Sequence, residues 1–145
     1  GEIVARPERV ASVREMGQQD YIFICVKNYS LEDVCESIRD MVTEDTVIIP
    51  VMNGVDPGEN IRRLVGKGTV VDSLIYTVAF SNADFSVSQQ DTFTWLCIGI
   101  KDADERQQEK VAEVAEILKG ADIDYKDQGD IEVEIWRKYI LNCAF

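Results

Sequence analysis

The chain has 145 residues, 46% hydrophobic and 29% charged, with Lys+Arg 15 against Asp+Glu 27 and a formal net charge of −12. That is one globular domain's worth of sequence, long enough to bury a core, and its acidity argues against nucleic acid as a partner because it repels phosphate backbones. With no histidine anywhere, Ser-His catalysis, Cys-His catalysis and histidine metal sites are excluded within it.

In chain order, the first 19 residues hold only Gly1 and Gly17 as glycines and cannot supply a strand, glycine loop and helix. Asp20 to Val26 is a short apolar run of β-formers and predicts a strand buried on both faces. Ser30 is placed to cap a helix whose apolar side is Leu31, Val34, Cys35, Ile38, Met41 and Val42. Thr46 to Val51 predicts a second buried strand, with Pro50 near its end. Asp56 then precedes Pro57 at the first position of a helix, with Glu59 available for a capping box. Ile61, Leu64 and Val65 give that helix its apolar side, and Gly66 ends it. Thr69 to Phe80 reads as one or two strands.

From residue 80 the texture changes. Phe85 to Val87 and Thr92 to Ile100 predict antiparallel strands, with Asn82-Ala83-Asp84 as the turn before them. A charged helix from Asp104 to Lys119 turns Val111, Val114, Ala115 and Leu118 inward and stops at Gly120. Ile123 to Tyr125 is a short strand, and Asp130 caps a last helix. The alternation over residues 20 to 80 predicts an α/β fold with an open, Rossmann-like sheet, at least partly parallel.

No apolar run approaches the length of a membrane span, and Glu2, Arg6, Glu8 and Arg9 interrupt any leader-like segment. Cys25, Cys35, Cys97 and Cys143 lack metal-ligand spacing, so no metal is expected. Each lies in an apolar run, which predicts buried thiols in a reducing cytoplasm. The sequon Asn28-Tyr29-Ser30 is a chance match without a secretory signal.

Candidate chemistry follows from the fold. Open α/β sheets bind ligands outside the carboxyl ends of their strands. Lys27 follows Val26, and Asn53 follows Val51-Met52, so both belong at that edge. Lys27 brings three donors and a charge; Asn53 brings a donor and an acceptor. The plain alternatives are a charged strand end for Lys27 and a turn for Asn53-Gly54. Lys138 and Asn142 share a face of the last helix, with Glu134 one turn earlier. A cation and an amide so held could protonate and hold a polar substrate; the plain alternative is a solvated Glu134–Lys138 pair. Gly66-Lys67-Gly68 begins a dinucleotide-type glycine match, but Val71 occupies the last glycine position and the segment follows a helix, so it reads as a loop.

Four segments in this order resemble the ketopantoate reductase (2-dehydropantoate 2-reductase) family. They are Asp20-Tyr21-Ile22-Phe23-Ile24-Cys25-Val26-Lys27, Pro50-Val51-Met52-Asn53-Gly54-Val55, Gly120-Ala121-Asp122-Ile123, and the run from Glu134 through Trp136, Lys138 and Asn142 to Cys143. The resemblance implies an NADPH-dependent reductase of a small 2-keto acid in pantothenate biosynthesis, with an N-terminal Rossmann-like domain, a helical C-terminal domain and a cleft between. By it Lys138 is the proton donor, Asn142 and Asn53 bind substrate, and Lys27 and Asn53 lie beside the cofactor. Residues 1–128 are then a partial NAD(P)-binding domain without its first phosphate-binding unit, and 129–145 the first helix of the helical domain. Also lacking are the glycine motif that binds NADPH, the basic residue that selects it over NADH, and the further substrate ligands of the helical half.

The implied chain is a fragment that alone neither binds NADPH tightly nor turns over. Exposure of Trp136, Tyr139, Ile140 and Phe145 predicts self-association, hence a homo-oligomer. The competing readings are reduction of another branched 2-keto acid, a non-catalytic Rossmann-like interaction module, and a sugar-phosphate dehydrogenase. The last needs basic phosphate ligands that this acidic chain does not offer.

Overall fold

The computed structural model describes residues 4–90 and 94–144. Its strands are β1 (Tyr21–Ile24), β2 (Val47–Pro50), β3 (Thr69–Val70), β4 (Asp72–Tyr76), β5 (Ala79–Ser81), β6 (Val87–Gln89), β7 (Trp95–Gly99) and β8 (Tyr125–Asp127). Its helices are α1 (Leu31–Ile38), α2 (Pro57–Val65), α3 (Glu105–Gly120) and α4 (Ile131–Cys143). The start of the expected Thr92–Ile100 strand, and Phe145, fall outside the described residues.

β1, β2 and β3 form a parallel sheet in that order. β4 pairs antiparallel with β7, and β7 parallel with β8. Val71 joins the two sheets: its N–H donates to the Ile48 carbonyl at 3.0 Å, and the buried Ser73 hydroxyl donates to the Pro50 carbonyl at 2.7 Å. The result is one mixed sheet, β1-β2-β3/β4-β7-β8.

Period-two alternation explains how this sheet is covered on both faces. Ile48 of β2 joins Ile24, Leu31, Cys35, Ile38 and Ile61 under α1 and α2. Its neighbours Val47 and Ile49 join Leu96, Ile98, Val111, Val114 and Leu118 under α3. On β7, Leu96 and Ile98 face α3, while Cys97 turns to Leu74 and Ile131 beneath α4. The apolar runs therefore read as central strands because they are buried on both sides.

β1 departs from that expectation. α3 reaches it at Tyr21, whose hydroxyl donates to Glu113 at 2.9 Å; Phe23, next on the same face, is 41% exposed. Other differences are local. α1 ends at Ile38, leaving Val42 buried in the following turn. Ser30 and Asp56 occupy the N-cap positions of α1 and α2 without a side-chain capping bond. Ser30 already has near-helical backbone angles, because the 3-10 turn Asn28–Ser30 leads straight into α1.

Gly66 ends α2 in the left-handed region, as expected. α3 is capped by Asp104, which accepts from the Gln107 N–H at 2.8 Å, while the Gln107 side chain accepts from the Asp104 N–H at 3.0 Å. Gly120 is still helical, and the left-handed residue is Asp122 (φ 56°). Ile123 donates back to the Leu118 carbonyl at 2.9 Å, so β8 begins at Tyr125 rather than Ile123. Phe85 lies at φ 66° in the β5–β6 turn, so the strand expected at Phe85–Val87 forms at Val87–Gln89.

Candidate active site

Parallel registration of β1 and β2 sets Ile24 beside Pro50, and the Val51 N–H donates to the Ile24 carbonyl at 2.9 Å. The two segments that leave the strands therefore emerge side by side. They enclose a cleft of about 440 Å³ lined by Cys25, Val26, Lys27, Asn28, Met52 and Asn53, among others. Lys27 and Asn53 are both exposed in it. Gly54 turns the chain away at φ 124°, a conformation that suits glycine.

α4 delivers the third group. Asp130 caps it, accepting from the Val133 N–H at 3.4 Å. Ile131 is buried and Ile135 packs beside it on Leu74 and Cys97. Continuing that stripe by one turn brings in Lys138. Its Nζ donates to Asn53 Oδ1 at 3.0 Å and to the Ile75 carbonyl at 2.5 Å. It also lies over the Tyr76 ring, 5.8 Å from the centroid. Burial lowers the pKa of this ammonium, and the nearby Cys97 sulfur pulls the other way only when ionised. Two of the three ammonium hydrogens are engaged, which leaves one to direct outward.

Lys138 and Asn53 are thus in direct contact, and Asn53 shares its cleft with Lys27. Asn142 lies one turn further along α4 and is exposed; among the described residues it is not bonded to this group. Glu134 does not pair with Lys138. It pairs with Arg137, three residues on, and its side chain is only 20% exposed. Burial of all four thiols fails as well: Cys35 and Cys97 are buried, whereas Cys25, in the cleft, and Cys143 are exposed. Reading the sequence missed Tyr76 and the Ile75 carbonyl. Nothing in a strand's own residues marks which end a distant helix will cross.

The polar side chains of Lys27 and Asn53 line this cleft together with the apolar Val26 and Met52, a mixed lining of the kind that binds small molecules. The glycines at 66 and 68 serve the fold instead. Both have positive φ; a Cβ on Gly68 would stand 2.8 Å from the Thr46 carbonyl oxygen, so Gly68 is packed on the chain, and Gly66 is the left-handed end of α2.

A second cleft, of about 480 Å³, lies at the carboxyl ends of β7 and β8, with Asp102, Asp127, Gln108 and Gln128 in its wall. β7 opposes β4, so this cleft is at the other end of the sheet.

An open mixed sheet, helices on both faces and a polar cleft at the carboxyl ends of its parallel strands define a Rossmann-like α/β domain. The chain belongs to the ketopantoate reductase family: the family model described as Ketopantoate reductase PanE/ApbA matches residues 1–102. It is 26% identical over 144 residues to the uncharacterized oxidoreductase YkpB of Bacillus subtilis (strain 168), covering 99% of this chain and 46% of that one. It is 24% identical over 166 residues to a 2-dehydropantoate 2-reductase of Mesorhizobium japonicum, covering 100% of this chain and 50% of that one. The crystal structure of 2-dehydropantoate 2-reductase from Porphyromonas gingivalis W83 superposes with a TM-score of 0.72 at 27% identity, over 88% of this chain and 44% of that one. The chain spans about half the length of the curated relatives it matches. Among the described residues no helix is long and apolar enough to cross a membrane.

Proposed function

We propose that this chain carries the proton-donating edge of an NADPH-dependent reductase that converts 2-dehydropantoate to pantoate. The observation that carries the reading is the Lys138 ammonium bonded to Asn53, at the cleft Asn53 shares with Lys27. In this reading residues 1–128 are the nucleotide-binding domain and α4 begins the substrate domain. The bound dinucleotide supplies hydride to the ketone carbon. Lys27 and Asn53 orient the nicotinamide end, and Asn53 and Asn142 hold the substrate.

Charge builds on the ketone oxygen as the carbon is reduced, and Lys138 meets it in two ways. Its ammonium stabilises the developing oxyanion, then gives it a proton. Half-burial suits this, since an ammonium with a depressed pKa yields its proton more readily near neutral pH. The Ile75 carbonyl and Asn53 Oδ1 fix Nζ at the cleft before substrate arrives, so little reorganisation is left for the reaction itself.

A steady-state assay of the full-length protein tests the reading, with ketopantoate and other branched 2-keto acids offered alongside NADPH and NADH. Ketopantoate with NADPH is expected to give the highest kcat/KM. A higher value for another acid would move the substrate and leave the chemistry. No reduction of any 2-keto acid would favour a non-catalytic module.

A further inference from the structure

The Lys138 ammonium has an aromatic neighbour that the reaction above does not use. Tyr76 is the last residue of β4, and its place fixes two things together. The carbonyl just before it, that of Ile75, accepts from Lys138. Its ring lies beneath Nζ. The ring is itself braced: antiparallel pairing sets Tyr76 opposite Trp95, and the two ring centroids are 4.9 Å apart at 31°. Lys126 of β8 covers Trp95, with Nζ 4.7 Å from the ring centroid. On the α4 side, Tyr76 packs with Ile131, Ile135 and Cys97.

A ring beneath an ammonium acts on it in two opposed ways. Its quadrupole attracts the charge, and its bulk displaces water that would otherwise solvate the charge. We propose that Tyr76, backed by Trp95, is a positioning residue for Lys138: it walls the ammonium from water while the adjoining Ile75 carbonyl aims Nζ at Asn53. The proposal rests on Lys138 as proton donor for its catalytic consequence only; the wall itself is measurable without turnover. Around Lys138 stand Tyr76 on β4, Cys97 on β7, Asn53 beyond β2, and Glu134 and Arg137 paired on α4 itself. Burial outweighs the opposing influence of Cys97 on Lys138, so the displacement of water is the effect to test.

The test uses full-length protein carrying 15N-lysine. The Nζ signal of Lys138 is assigned by its loss in Lys138→Met and followed against pH in wild type, Tyr76→Phe and Tyr76→Thr. Threonine suits a strand but removes the ring. Tyr76→Phe is expected to keep the wild-type midpoint, below that of the other lysines. Tyr76→Thr is expected to raise it toward theirs. Because a general acid works only while protonated, the alkaline fall in kcat should move to higher pH with it, with KM for the keto acid unchanged. A midpoint that stays or falls in folded Tyr76→Thr overturns the proposal. Should that variant not fold, Trp95→Leu removes the brace alone and is expected to give a smaller rise, and an unmoved midpoint there overturns it equally. If Lys138→Ala keeps its turnover, the proton-donor reading falls, and the Nζ titration still decides the role of Tyr76.

Discussion

The two clefts of this sheet are built by the same device and differ in charge. Each lies where a pair of parallel strands ends, β1 with β2 in one and β7 with β8 in the other. The first gathers Lys27 and Asn53, with the Lys138 ammonium bonded to Asn53. The second gathers Asp102 and Asp127. In a chain of net charge −12, a cationic edge is local and made by few residues. A 2-keto acid is an anion, so the second cleft repels it, whatever its volume. Position at a strand's carboxyl end makes a cleft possible; the side chains that reach it decide what enters.

The largest expected effect that could break this comparison is Lys138→Ala in the full-length protein. Losing a general acid costs about 10²–10⁴ in turnover, with KM changed far less. Equal kcat in the variant, by steady-state assay, would make the ammonium a bystander. The same side chain carries a stability prediction whose sign is fixed. Its folded pKa is depressed below an unfolded value of about 10.4. Between those two values the unfolded chain binds the extra proton, so stability rises with pH across that window. Below it the cost of burying the charge is fully present. Lys138→Met should therefore raise the urea midpoint at neutral pH while abolishing activity; a lower midpoint would mean that the bonds to Asn53 and Ile75 outweigh desolvation.

Next in size is Asn53→Ala. It removes an acceptor of Lys138 and leaves Nζ tethered to the Ile75 carbonyl alone. A misaimed donor of this kind costs on the order of 10² in rate. Asn53→Asp separates position from charge: it keeps the acceptor but pairs the ammonium with a carboxylate, which holds the proton more tightly. The alkaline fall in kcat should then move to higher pH. An unmoved fall would show that Asn53 and Lys138 do not meet during turnover.

How far this site is legible from sequence depends on which link supplied each residue. Lys27 and Asn53 could be found because strand, polar tip and helix follow one another locally, twice. Lys138 could be placed on a face with Asn142, since helix periodicity is local too. What could not be read is where α4 lies. Its docking follows from the pairing of β4 with β7, which creates the Leu74–Cys97 floor that Ile131 and Ile135 cover. That pairing joins residues about 23 apart across a projecting hairpin, and no local pattern encodes it. Hence Tyr76 and the Ile75 carbonyl are not legible beside Lys138. The solvated Glu134–Lys138 pair, the plain alternative, does not form because Glu134 pairs with Arg137. Strand limits slipped for a related reason: Phe85 and Ile123 are β-formers, but each is held by a turn bond, to Asn82 and Leu118 respectively.

The smallest effect belongs to the second cleft, and it sharpens the comparison most. Asp127→Asn removes a negative charge at the far end of the sheet. Asp127 pairs with Ile98 and Ile98 with Ser73, two residues from Ile75, so two strand spacings and two residues of rise separate it from the ammonium by roughly 12 Å, beyond the Debye length of roughly 8 Å at physiological salt. Screening therefore leaves little of that charge to be felt at Lys138, and kcat/KM for the keto acid should change by less than about twofold. The exposed position predicts a stability change within about 0.5 kcal/mol. A loss of tenfold or more, measured at physiological salt with stability unchanged, could not arise through solvent. It would require mechanical coupling through β8, β7 and the floor under α4, and the two ends of the sheet would then act as one site.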